Sequence, residues 1–189
     1  MKKQIMKDIK IKTPVDEETI LSIKAGDPVY ISGIIYTARD AAHKRMLEDY
    51  KSGKGLPIDL KGQIIYYVGP TPSKPGQVIG SAGPTTSIRM DPYTPFILEM
   101  GVKATIGKGE RTPPVIESLK KFKALYLVAV GGAGALISRT IKRVRVIAYE
   151  DLGPEAIREL EVEDFPTICA IDAYGNNLFE QGVEKFRKE

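Results

Sequence analysis

Four short stretches of this sequence carry side chains able to grip an anion or move a proton. In the first, Arg39-Asp40-Ala41-Ala42-His43, a guanidinium and an imidazole stand four residues apart, on one face of a helix. Arg39 then falls in the helix's first turn, where the macrodipole disfavours a cation by about 0.3–1 kcal/mol. An anion bound there would satisfy both Arg39 and the free N–H groups. The second stretch, Ser81 to Asp91 (SAGPTTSIRMD), brings hydroxyls and backbone N–H groups to a helical turn with Arg89 just behind. Backbone donors and a guanidinium fork can share a carboxylate or phosphate, and a Thr hydroxyl held there could join proton transfer. In the third, Gly107-Lys108-Gly109-Glu110-Arg111, flanking glycines give Lys108 room at the carboxyl end of a strand, where open α/β sheets place ligands. The fourth, Gly131-Gly132-Ala133-Gly134, imitates a dinucleotide fingerprint followed by Glu150-Asp151. It lacks the third glycine, because position 137 is Ile137, and close helix–strand packing is the simpler account. Cys169, inside the apolar run PTICAI, reads as a small buried hydrophobe.

Alternating strand-like and helix-like segments must position these groups. Ile9 to Lys12, Pro28 to Tyr36, Gly62 to Val68, Val102 to Ile106, Leu125 to Val130, Arg143 to Tyr149 and Pro166 to Ile171 read as strands. Helices are expected from Asp16 to Ile23, from a Thr37/Asp40 capping box to Gly53, and from Thr112-Pro113 to about Phe122. Another starts with Asp91 as N-cap and Pro92 behind it, which leaves Pro95 unexplained in its first turn. A short helix follows the GGAGA turn, one runs from Pro154 to about Leu160, and the polar tail from about Leu178 is helical. Gly69 to Thr86, rich in Pro and Gly, is a long irregular loop of the kind that usually serves function. The long β segments come early and the βα units late, so residues 1–189 are read as one α/β domain with mixed strand pairing.

Composition narrows the chemistry. With 42% hydrophobic and 28% charged residues, the chain reads as a globular protein large enough to need no staples. One Cys and one His cannot build a disulfide framework, a zinc site or an iron–sulfur site, so any metal chemistry needs another chain's ligands. A net charge of +4 is too weak and dispersed for nucleic acid. The basic run Arg139, Lys142, Arg143 and Arg145 reads as a solvated face. No apolar stretch reaches the ~20 residues of a membrane span, and the N-terminus lacks the apolar core of a signal peptide. The cytoplasm is therefore expected.

The segments ISGIIYTARDAAHKRM, LPIDLKGQIIYYVGP, IGSAGPTTSIRMDPY, IGKGE and VEDFPTICAIDAYGNN resemble, in family order, a known unit. It is the β subunit of class I, iron–sulfur-dependent fumarate hydratase and of L(+)-tartrate dehydratase, which is also the C-terminal domain of single-chain class I fumarases. The resemblance covers about Gly26 to Asn177. It implies a single swivelling β/β/α domain with a mixed sheet flanked by helices, like the mobile domain of aconitases. It implies a partner α subunit holding a [4Fe–4S] cluster, with no cofactor bound by this chain alone. It implies that Arg39, Arg89 and Lys108 bind a small dicarboxylate, that Thr85 is a proton-transfer residue, and that His43 belongs to the active site. Fumarate and tartrate enzymes share these motifs, so the motifs do not separate the two substrates.

The residues alone leave the proton-transfer group open. His43 has an ordinary pKa suited to the task, whereas Thr85 needs strong activation. The family favours Thr85 acting with a carboxylate from the partner. Two other readings compete: a stand-alone dicarboxylate- or phosphate-binding module built on Arg39, Arg89 and Thr85, and a nucleotide-binding oxidoreductase domain built on the Gly131 to Gly134 turn.

Overall fold

Successive residues of the IIYY run belong to two different cores. Ile64 and Tyr66 join one apolar cluster, and Ile65 and Tyr67 join another, as expected of a strand buried on both faces. The computed structural model describes residues 8–130 and 132–186. Its strands are β1 (Ile9–Lys12), β2 (Pro28–Thr37), β3 (Ile64–Tyr66), β4 (Ala104–Gly107), β5 (Leu125–Val128), β6 (Ile141–Ala148) and β7 (Ile157–Ile171). Strands β1 to β5 pair in parallel, each with the next. The long β7 then runs antiparallel to β5, β6 and β2. The circuit β2–β3–β4–β5–β7–β2 is therefore closed, with β1 and β6 added at its margins. The result is a mixed sheet flanked by helices.

Closure creates the two cores. Ile31, Ile35, Ile64, Tyr66, Leu127, Phe165 and Cys169 share the first. The second lies under the helices α2 (Asp40–Lys51), α3 (Thr94–Glu99) and α4 (Pro113–Phe122), where Met46, Ile97 and Leu119 meet Ile65, Tyr67 and Tyr126. Helices α1 (Glu17–Ser22) and α5 (Gly134–Thr140) send Ile20 and Ile137 into the first cluster, and α6 (Leu178–Phe186) follows β7.

Several expected elements hold. The helix expected from Asp16 to Ile23 is α1, and the structure adds that Asp16 caps it, accepting from the Thr19 N–H at 2.7 Å. Helix α4 begins after Thr112 and ends at Phe122. The basic run is exposed, with Arg139 in the last turn of α5 and the rest on β6, where Arg143 and Arg145 face Glu161 and Glu159 of β7 at 3.1 and 3.2 Å.

Others are corrected. The segment from Ile157 to Leu160 is strand, not helix, although Glu, Leu and Arg favour helix. Glu159, and Glu161 just beyond, meet the arginines of β6, while Leu160 and Val162 are buried in the first core, so sheet closure overrides local propensity. The longest strand is thus late in the chain, not early. Thr37 forms no capping box: it ends β2, and its hydroxyl donates to the Ala156 carbonyl of the facing chain. Helix α3 starts at Thr94 rather than Pro92, which puts Pro95 in the first turn, where an N–H is free anyway. Asp91 does not cap that helix, because its carboxylate is taken by Arg111 and Thr112.

Phe165 packs edge-on against Tyr66, with ring centroids 5.1 Å apart inside the enclosed core. We predict that Phe165→Ala lowers unfolding stability by about 3–5 kcal/mol in urea titrations. Arg145→Ala, on the exposed rim, should lower it by less than about 1 kcal/mol.

Candidate functional site

Parallel strands place their carboxyl ends on one edge of the sheet, and the candidate residues gather there. Arg39 lies two residues beyond β2 and is the N-cap residue of α2. Beyond β3 the chain runs through the Gly/Pro-rich loop and returns between β3 and β4. The Thr85 N–H donates to the Tyr67 carbonyl at 2.8 Å, the Lys108 N–H to the Thr85 carbonyl at 3.2 Å, and the Ser87 N–H to the Lys108 carbonyl at 3.0 Å. Thr85 is thus wedged between the end of β3 and the turn that carries Lys108. The wedge needs a glycine at the end of β4, since any side chain on Gly107 would collide with Ser87 and Tyr67.

A 3₁₀ turn over Ser87–Met90 follows the wedge and carries Arg89 back toward α2. Arg89 Nη2 reaches Asp40 Oδ2 at 2.7 Å. Arg39 Nη2 lies 3.3 Å from Glu155 Oε1, and its Nε lies 3.8 Å from Asp40 Oδ1. Arg39, Asp40, Arg89 and Glu155 form one chain of alternating charge. The other Glu155 oxygen accepts the Ala41 N–H at 3.0 Å and so satisfies a free donor at the start of α2. Lys108 is exposed and has no ion-pair partner among the described residues. The three expected cations share an edge, and two of them are already held by carboxylates.

His43 is set back from this edge. It is fully buried, stacked at 6.2 Å on Tyr93 and edge-on to Tyr67 at 5.5 Å. Its Nδ1 lies 2.7 Å from the Arg39 carbonyl, an acceptor, so Nδ1 carries the proton and Nε2 is a lone pair with no hydrogen-bond partner. Burial lowers its pKa from 6.5 to about 4, helped by the nearby Arg111 charge and opposed by the bond to Arg39. At neutral pH His43 is therefore neutral, and it fixes the backbone of Arg39 from beneath.

The GGAGA turn, apart from Gly131, which lies outside the described residues, serves the same edge. The Gly134 carbonyl accepts the Ala82 N–H at 3.3 Å, and a Cβ on Gly134 would come within 2.8 Å of the Gly83 nitrogen. The helix after the turn packs on β7, as expected, and the turn itself packs closely against the loop leading to Thr85.

Reading the sequence missed Glu155, which sits in a segment taken for helix, and the pair Asp91–Arg111, buried beneath the wedge. Asp91 and Arg111 each stood in a stretch read as a candidate site, but no local pattern pairs them. The residues present do not fit an iron–sulfur cluster. Cys169 is fully buried in the enclosed core, where burial raises its thiol pKa, and no group of three or more His, Cys, Asp or Glu among the described residues could hold a metal. No helix among them is long and apolar enough to cross a membrane.

A family model described as Fumarase C-terminus matches residues 1–182. The chain is 42% identical over 175 residues to a protein of Methanocaldococcus jannaschii provisionally named L(+)-tartrate dehydratase subunit beta, covering 89% of this chain and 90% of that one. It is 40% identical over 182 residues to a Geobacillus stearothermophilus protein provisionally named fumarate hydratase class I, covering 94% of this chain and 34% of that one. It is 36% identical over 181 residues to the L(+)-tartrate dehydratase subunit beta of Escherichia coli K12, covering 93% and 89%. The chain thus spans about a third of the fumarate hydratase relative and about nine-tenths of the β subunits.

The buried His43 makes stability fall on acidification. As pH drops below 6.5 the unfolded chain takes the proton first, and the folded chain follows only near 4. Across that window this residue should remove about 3 kcal/mol of folding stability. His43→Asn does not titrate, so in denaturant unfolding the stability gap between the natural chain and this variant should shrink by about 2–3 kcal/mol from pH 7 to pH 4.5.

Proposed function

This chain belongs to the fumarase C-terminus family, and from that premise we propose that it is the β subunit of an iron–sulfur hydro-lyase, acting on fumarate and L-malate. The observation that carries the proposal is the convergence of Arg39, Arg89, Thr85 and Lys108 on one edge of the sheet. Its match along nine-tenths of relatives named β subunits supports a two-chain enzyme. The same names support L(+)-tartrate as the alternative substrate.

In this reading Arg89 and Arg39 grip the carboxylates of the dianion, and Lys108 supplies a flexible third charge. A guanidinium fork suits a planar carboxylate because two parallel N–H donors fix its orientation. Asp40 holds Arg89, so an incoming carboxylate exchanges with it for the same donors. Thr85 gives or takes the proton on carbon. Its position on the edge favours it over His43, whose ring is wholly buried and whose Nε2 has no hydrogen-bond partner. His43 instead positions Arg39. Thr85 needs a base to activate its hydroxyl, and the proposal assigns that to a carboxylate of the partner. Managing the substrate hydroxyl calls for a Lewis acid. Among the described residues no group of three or more His, Cys, Asp or Glu could hold a metal, and the proposal places the [4Fe–4S] cluster on the α subunit. A swivelling of the present domain against the cluster-bearing part, as in aconitase mobile domains, belongs to the same proposal.

The isolated, iron-free chain should show no hydratase activity, and mixing it with a cluster-bearing α chain should restore turnover of fumarate or L(+)-tartrate. Robust activity from the chain alone would overturn the proposal. Tight binding of malate to the isolated chain in calorimetry would favour a stand-alone binding module instead. In the reconstituted enzyme, Arg89→Lys should lower kcat/KM by about 10²-fold, because a point charge misplaces the substrate.

A further inference from the structure

Beneath the edge lies an ion pair that the proposed chemistry does not use. The Arg111 side chain is 0% exposed and its partner Asp91 6%, with Nε 2.7 Å from Oδ1. The other arms of the guanidinium are also engaged. Nη2 donates to Thr94 Oγ1 at 2.6 Å, and Nη1 to Thr105 Oγ1 at 3.2 Å and toward the Tyr67 hydroxyl at 3.5 Å. The group lies over the rings of Tyr126 and Tyr67, 4.9 and 5.4 Å from their centroids. Burial works against the charge, but Tyr67 and Asp91 more than offset it, so Arg111 stays protonated. Asp91 Oδ2 accepts both the N–H and the hydroxyl of Thr112 at 2.7 Å.

The pair joins the segments that carry the site. Asp91 directly follows the 3₁₀ turn of Arg89, and Arg111 lies three residues beyond Lys108. Tyr126 adds a second tie, donating to the Gly109 carbonyl at 2.7 Å and meeting Ser87 Oγ at 2.8 Å. Tyr67, whose hydroxyl faces Arg111, accepts the Thr85 N–H on its carbonyl. A buried ion pair is a poor source of net stability, since apolar replacements of similar volume are often neutral or stabilising. What it does supply is a fixed separation between two loops.

We propose that Arg111, paired with Asp91, is a positioning residue that sets the spacing of Thr85, Arg89 and Lys108. The inference rests on the hydro-lyase reading for its kinetic test, but not for its structural one. The informative variant is Arg111→Met with Asp91→Asn, which removes both charges and keeps an acceptor for Thr112. Made in the full chain and assembled with the α chain, it should keep the wild-type melting temperature and elution volume. It should raise KM, lower kcat and reduce kcat/KM by about tenfold to hundredfold. Arg111→Lys, which keeps the charge but cannot reach three partners at once, should recover part of that loss.

Wild-type kinetics in a stable double variant would overturn the proposal. If the double variant does not fold, Arg111→Lys decides: a raised KM with unchanged melting supports positioning, and wild-type kinetics refutes it. A wild-type complex inactive on both fumarate and L(+)-tartrate would instead sink the hydro-lyase reading. The amide resonances of the full chain then test positioning alone. Shifts at Thr85, Ser87 and Lys108, with β1 and β6 unmoved, support it, and their absence refutes it.

Discussion

Everything at the candidate site depends on the pairing of β7 with β2. Those two strands meet along nearly the whole of β2, from Pro28 opposite Ile168 to Thr37 opposite Arg158. The contact turns a parallel run of strands into a ring with a dry interior of Ile, Leu, Phe and Tyr. A closed ring has no slack, so the carboxyl ends of β2, β3 and β4 are held on one edge. The same strand closure brings Glu155, just before β7, against Arg39, just after β2. The fold and the electrostatics of the site thus rest on one interaction.

The edge is less cationic than its three basic residues suggest. Arg39 and Arg89 share Asp40, and Arg39 also meets Glu155, which leaves Lys108 as the cation without a partner among the described residues. Partly exposed pairs of this kind contribute little to stability. Their effect is orientation: each arginine is held with its fork toward a carboxylate. In the proposed function, a dicarboxylate would trade places with these carboxylates and meet donors already arranged.

Two kinds of burial support this arrangement. His43 is neutral, buried and bonded to the Arg39 carbonyl. Arg111 is charged, buried and bonded to Asp91. One fixes the segment after β2. The other ties the turn after β4 to the 3₁₀ turn of Arg89. Between them lies Tyr67, which packs its ring against both side chains and whose carbonyl receives Thr85.

Local chemistry was legible in the sequence where it depends on neighbours. The short helix after Asp16, the Thr112-Pro113 helix start, the strands after Pro28 and Leu125, and the basic face of β6 all follow from propensity and spacing. So did the groups that gather on the edge, because Arg39, Arg89, Thr85 and Lys108 stand in segments whose pattern already suggested an anion site. Two things were decided only by the tertiary structure. Residues 157–160 became strand because β2 and β6 offered partners whose packing and ion pairs outweigh the helical preference of Glu and Leu. His43 lost its titration near neutrality because the helix that carries it packs down on Tyr67 and Tyr93, and burial in that core penalises the charged ring. Sequence determined which groups exist and what they can do. Solvent exclusion and long-range pairing, which no local pattern encodes, decided which of them lie on the exposed edge and which are buried beneath it.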